Sequence, residues 1–158
     1  MEKLTKKEKE CFMNEAIELA IKAKNRGEVP VGAIVVKDGI IVGRGYNQTQ
    51  TTNDPTAHAE MLAIKEASEN VRGSTWKLNE CSLYVTLEPC TMCAGAIVLS
   101  RISNLYIGAT DEKTGACGSV YNIVGDGKLN HTVNVETHIV EKKCSKLIKD
   151  FFLELRNK

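Results

Sequence analysis

The chain has no apolar run long enough to cross a bilayer. Its opening, MEKLTKKEKECF, is basic but has no continuous apolar stretch behind it, so no secretory signal is expected. The expected compartment is therefore the cytoplasm, with no membrane partner. Net charge is nearly absent as well: 21 Lys and Arg against 20 Asp and Glu leave +1. Charge thus gives no argument for a nucleic-acid partner, because no basic excess stands ready for phosphate contacts. The basic residues gathered at the two ends, such as Lys6, Lys7 and Lys9 and then Lys142, Lys143 and Lys146, read as solvated helix faces. Repeats, low-complexity tracts and linkers are missing too. Residues 1–158 are expected to form a single domain large enough to bury its own core.

The elements that remain alternate in type. Thr5 and Glu8 make a capping-box pattern before a helix running to about Arg26, and Gly27 can end it. Val31–Val36 reads as a buried strand, Asp38-Gly39 as a hairpin turn, and Ile40–Asn47 as the returning strand. A polar loop over 48–53 follows. Asp54-Pro55 looks like an N-cap with proline at the first helical position, opening a helix to about Asn70. Leu83–Thr86 is a third strand, Glu88-Pro89 opens a helix through Ser100, and Leu105–Gly108 is a fourth strand; that order implies a parallel pair. Thr114–Gly127 is expected as a glycine-rich loop with room for one helical turn. Val133–Val140 is expected as the last strand and Lys142–Arg156 as an amphipathic helix. The fold class is α/β: a mixed five-stranded sheet flanked by helices on both faces.

Of six cysteines, only Cys90 and Cys93 are closely spaced. Three apart at a helix start, they project from one face of its first turn, where the helix terminus favours thiolates. His58 stands near the start of another expected helix and offers an imidazole. One nitrogen and two sulfurs suit Zn²⁺, with a fourth position open, as catalytic sites require. Residues two apart do not share a helical face, so His58 and Glu60 can converge on one ion only at the helix entry. Zinc lowers the pKa of water to about 7, and a carboxylate beside it can accept and pass on the proton. A lone Cys-x-x-Cys also fits a redox pair or half of a four-ligand structural site, but no second pair exists and a structural site has no need of Glu60. Cys11, Cys81, Cys117 and Cys144 read as ordinary small residues. Cys117, in a polar loop, is the one expected at the surface.

The segments His58-Ala59-Glu60 and Pro89-Cys90-Thr91-Met92-Cys93 are similar to the signature of zinc nucleobase deaminases. Beyond them, the chain resembles the TadA family of tRNA adenosine deaminases almost end to end. The resemblance runs from Val29-Pro30-Val31-Gly32-Ala33 through Asn53-Asp54-Pro55-Thr56 to Phe151-Phe152, and is most discriminating over 86–96 and 111–119. It implies a three-layer cytidine-deaminase-like fold, a homodimer, one Zn²⁺ per subunit, and conversion of adenosine to inosine at the wobble position of a tRNA, an arginine tRNA. The partner it implies is the anticodon stem-loop. His58, Cys90 and Cys93 would be the zinc ligands and Glu60 the proton shuttle. Asn47 matches a residue that hydrogen-bonds the flipped base, Val31, Ala59 and Leu87 match residues lining its pocket, and Asp111 matches one near the ribose. Val31 and Leu87 also read as plain core residues, and Asn47 as a strand end. Tyr46 and Cys117 depart from the family pattern without touching the metal set. Bacterial guanine deaminases share the zinc motifs, and a free-base deaminase is the alternative activity; a zinc-stabilised RNA-binding protein is the alternative without catalysis.

Overall fold

The computed structural model describes residues 4–71 and 75–158. Helix α1 (Lys6–Asn25) begins with the reciprocal cap expected of it: the Glu8 amide donates to Thr5 Oγ1 at 3.1 Å and the Thr5 amide to the Glu8 carboxylate at 3.4 Å. Strands β1 (Gly32–Lys37) and β2 (Ile40–Tyr46) form an antiparallel hairpin. Asp38 and Gly39 both take positive φ, 51° and 76°, the turn whose twist matches its strands. Then come α2 (Ala59–Asn70), β3 (Cys81–Leu87), α3 (Thr91–Leu99), β4 (Asn104–Ala109), β5 (Asn134–Glu136) and α4 (Glu141–Arg156).

The sheet order is β2-β1-β3-β4-β5. β1 runs antiparallel to both neighbours, while β3, β4 and β5 are parallel. Period-2 alternation deals the residues of β1 to two cores. Ala33 and Val35 meet Ala59, Ala63 and Ala67 of α2 and Ala94, Ile97 and Val98 of α3 on one face. Ile34 and Val36 meet Met13, Ala16 and Ile17 of α1 and Cys144 of α4 on the other. The result is the three-layer mixed sheet, and no helix among the described residues is long and apolar enough to cross a membrane.

Alanines on α2 and glycines on β2 let helix and sheet approach closely. A Cβ at Gly43 would lie 2.2 Å from the Ala63 carbonyl oxygen, and one at Gly45 would lie 2.2 Å from that of Ala59. The first turn of α2 is therefore seated directly on the backbone of β2.

Four expectations fail. Helix α2 starts at Ala59, not at Pro55, because the Asp54 carboxylate is engaged locally by the Thr56 amide and hydroxyl, and the Gln48 amide donates to the Ala57 carbonyl. Strand β5 spans three residues, not eight: His138 and Val140 take positive φ, 67° and 51°, which turns the chain out of the ladder. Residues 114–127 contain turns and one bridge, Cys117 with Asn122, in place of a helical turn. Cys117 is buried, not at the surface.

Candidate metal centre and active site

His58 and Cys90 occupy equivalent places in two elements on the same face of the sheet. His58 is the N-cap of α2 (φ −77°, ψ 153°) and Cys90 the N-cap of α3 (φ −76°, ψ −179°), and neither side chain caps its helix. A capping residue has extended backbone, so its side chain leaves the helical rotation that would keep residues two apart from converging. That is how His58 and Glu60, at the second helical position, reach one site. Cys93 follows one turn into α3 and is fully buried.

The His58 Nδ1 atom lies 3.6 Å from Cys90 Sγ and 3.5 Å from Cys93 Sγ. All three donor atoms fall within 4.8 Å of one another, the group among the described residues able to hold a metal ion. A tetrahedral centre with Zn–N of ~2.05 Å and Zn–S of ~2.3 Å needs N and S roughly 3.6 Å apart, so the donors fit zinc in kind and in spacing. A hydrogen bond from Cys93, then one with His58, holds Cys90 down to about 3, and the same Cys90–Cys93 bond together with burial keeps Cys93 protonated. The bond to Cys90 raises the His58 imidazole against the opposing effect of burial. Metal binding must therefore release protons from the site.

Glu60, 4% exposed, is pushed up to about 7 by burial, with its own backbone amide and the His58 charge opposing. It lies on a cavity of about 270 Å³ also lined by His58, Cys90, Val31, Asn47 and Ala59. Leu87 and Asp111 line the same cavity. Every residue singled out from the sequence is therefore brought to one place, with Cys93 just behind the wall.

Two further carboxylates brace the walls. Glu28, 1% exposed, accepts from the Gln50 amide (3.1 Å) and from the Thr51 amide and hydroxyl (2.6 Å each). Burial alone would raise its pKa, but these bonds, Thr51 foremost, outweigh it and hold the carboxyl below its ordinary value. The bracing carries to the cavity through Thr49, whose amide donates to Asn47 Oδ1. Glu88, 4% exposed, gathers the chain on the other side through amides of residues 111, 117 and 119.

Residues 6–109 match the model of the cytidine and deoxycytidylate deaminase zinc-binding region. The chain belongs to that deaminase family. A tRNA-specific adenosine deaminase of Aquifex aeolicus (strain VF5) is 49% identical over 149 residues, 94% of this chain and 97% of its own length. Among solved structures, one from studies of A-to-I editing by tRNA:A34 deaminases at the wobble position of transfer RNA has a TM-score of 0.81 at 41% identity, over 86% of this chain and 97% of that one. A guanine deaminase from Nitrosomonas europaea shares the fold, with a TM-score of 0.77 at 22% identity over 90% of this chain and 83% of that one.

Zinc is thus the cofactor of this deaminase, in keeping with the family and the donor set. Four more residues line the cavity without a sequence signal of that role: Val29, Thr49, Glu88 and Thr114. Val29 adjoins a segment already singled out, and Thr49 and Thr114 sit in polar loops without spacing to mark them. Glu88 stands between the apolar Leu87 and Pro89, a pattern that marks only a coming helix, and α3 itself opens at Thr91.

Proposed function

We propose that this chain converts adenosine to inosine at the wobble position of a transfer RNA, an arginine tRNA, binding its anticodon stem-loop. The reading is carried by one combination: an imidazole and two thiols around a small cavity, with Glu60 on its wall, in a chain nearly half identical to a tRNA-specific adenosine deaminase over almost its whole length. His58, Cys90 and Cys93 hold the zinc. When bound, zinc supplies Lewis-acid activation of water at neutral pH.

Glu60 takes a proton from the water that adds to C6 of the base, delivers it to N1, and assists departure of the 6-amino group as ammonia. Asn47 hydrogen-bonds the base, Val31, Ala59 and Leu87 flank it, and Asp111 lies toward the ribose. The base must leave its stack to enter, a modest step in a loop that is already single-stranded. Residues 1–158 act as one deaminase domain, in the cytoplasm. The working form is a homodimer, for which the exposed apolar side chains Leu99, Val120 and Tyr121 are available; light scattering tests it, and a monomer at working concentration rejects it.

The deciding experiment offers the zinc-loaded protein an anticodon stem-loop with adenosine at the first anticodon position and, separately, free guanine. Inosine, read as guanosine on sequencing, is the expected product. Turnover of guanine alone would defeat the tRNA reading, and turnover of neither would leave a zinc-stabilised binding protein.

A further inference from the structure

Glu88 lines the same cavity as Glu60, two residues before Cys90, yet the chemistry assigned to the site does not use it. None of the ion pairs among the described residues includes it. A buried carboxylate without a cation is unfavourable unless hydrogen bonds satisfy it. Here they do. Oε1 accepts from the Asp111 amide at 3.0 Å and the Ser119 hydroxyl at 2.5 Å, and Oε2 accepts from the amides of Cys117 and Ser119 at 3.1 Å each. A carboxylate offers about four acceptor positions, so none remains for a substrate.

The donors come from both ends of the 111–119 loop, which is thereby wrapped onto Glu88. At the closest pass stands Gly115, where a Cβ would lie 2.3 Å from Glu88 Oε2 and 2.4 Å from the Asp111 carbonyl oxygen. The Ala116 amide also donates to the Pro89 carbonyl at 2.8 Å. Within the loop, the Asp111 carboxylate accepts from the Lys113 amide and from the Thr114 amide and hydroxyl. Asp111 and Thr114, which line the cavity, are therefore held as one piece whose anchor is Glu88.

We propose that Glu88 is a positioning residue: it fixes the loop that forms one wall of the base-binding cavity, and so sets substrate affinity without touching the reacting atoms. The proposal rests on the deaminase reading for its substrate, but the clamp itself is measurable without turnover. Glu88→Gln keeps the volume and turns one acceptor into a donor facing N–H groups. Losing a hydrogen bond to a charged group corresponds to about tenfold to a hundredfold in an equilibrium constant.

In the full-length, zinc-loaded Glu88→Gln protein, KM for the adenosine-bearing stem-loop should rise by about that factor while kcat changes little and zinc stays at one per chain. Amide hydrogen exchange at Asp111, Cys117 and Ser119 should accelerate. Ser119→Ala should shift both readouts the same way by less, and its effect should not add to that of Glu88→Gln. Should Glu88→Gln fail to fold, Ser119→Ala and Gly115→Ala carry the same test. Unchanged KM, a fall in kcat alone, loss of zinc, or unchanged exchange at the three amides would each overturn the proposal. A wild-type protein inactive on the stem-loop would overturn the deaminase reading instead, with the exchange data still deciding the clamp.

Discussion

Gly45→Ala probes whether the seating of α2 on β2 is what delivers His58 to the thiols. The added Cβ would lie 2.2 Å from the Ala59 carbonyl oxygen and 2.7 Å from the Ala63 amide nitrogen, where real contacts essentially never fall under 3.0 Å. The first turn of α2 must therefore lift by about 0.8 Å, the difference between 3.0 and 2.2 Å. His58 precedes that turn directly. Metal sites tolerate displacements of only about 0.2 Å, so the lift exceeds what the ligand set can absorb. Overpacking costs about 1–3 kcal/mol, which in a chain of this size lowers Tm by roughly 2–12 °C. Zinc affinity should fall by about 10–100-fold, the range seen when the support of a ligand is disturbed. Thermal melting and competition with a chromophoric chelator measure both. Gly43→Ala crowds Ala63 and Ala67, one turn further along, and should lower Tm comparably with a smaller loss of zinc affinity. A Gly45→Ala protein with wild-type zinc affinity would refute the reasoning, whatever its Tm.

Three other expectations follow from the site. Glu60→Gln should retain zinc and lose about 10²–10⁴-fold in deamination, since it removes only the proton carrier; turnover near wild type in an inosine assay would reject the role. Cys90→Ser should lower zinc stoichiometry and Tm together, and an unchanged metal content would mean that the ligands are misassigned. The carboxyl of Glu28 is held below its ordinary 4.5 in the folded chain. Its contribution to stability is therefore complete above 4.5 and is lost as pH falls through the lower folded value. The Tm advantage of wild type over Glu28→Gln should shrink on acidification through that window, and a constant gap would count against the clamp.

The features legible in the sequence were those whose physics is local. The Thr5–Glu8 cap, the Asp38-Gly39 turn and the three-residue spacing of Cys90 and Cys93 each depend on neighbours a few residues away, and each stands where its pattern implied. The Asp54-Pro55 reading failed because Asp54 had two local uses, capping a helix or closing a turn on Thr56, and the contact between Gln48 and Ala57 favours the second. Residues 137–140 looked like strand by alternation, which says nothing about φ. Glu28 and Glu88 were illegible for a different reason. Apart from one hydroxyl each, from Thr51 and Ser119, their partners are backbone amides more than twenty residues away, and an amide has no sequence identity that could announce it.

Helices α2 and α3 have given up the ordinary use of their leading side chains. Where a serine or aspartate would tie down the first turn, each offers a donor to a shared ion, and neither leading side chain caps its helix. Chelation should accordingly loosen both helix openings at once, two short stretches far apart in the chain melting in concert while the α1 and α4 face of the sheet stays firm. The ion then serves as a common end-stop for two springs, and the protein's grip on its chemistry and its grip on its own architecture are the same grip.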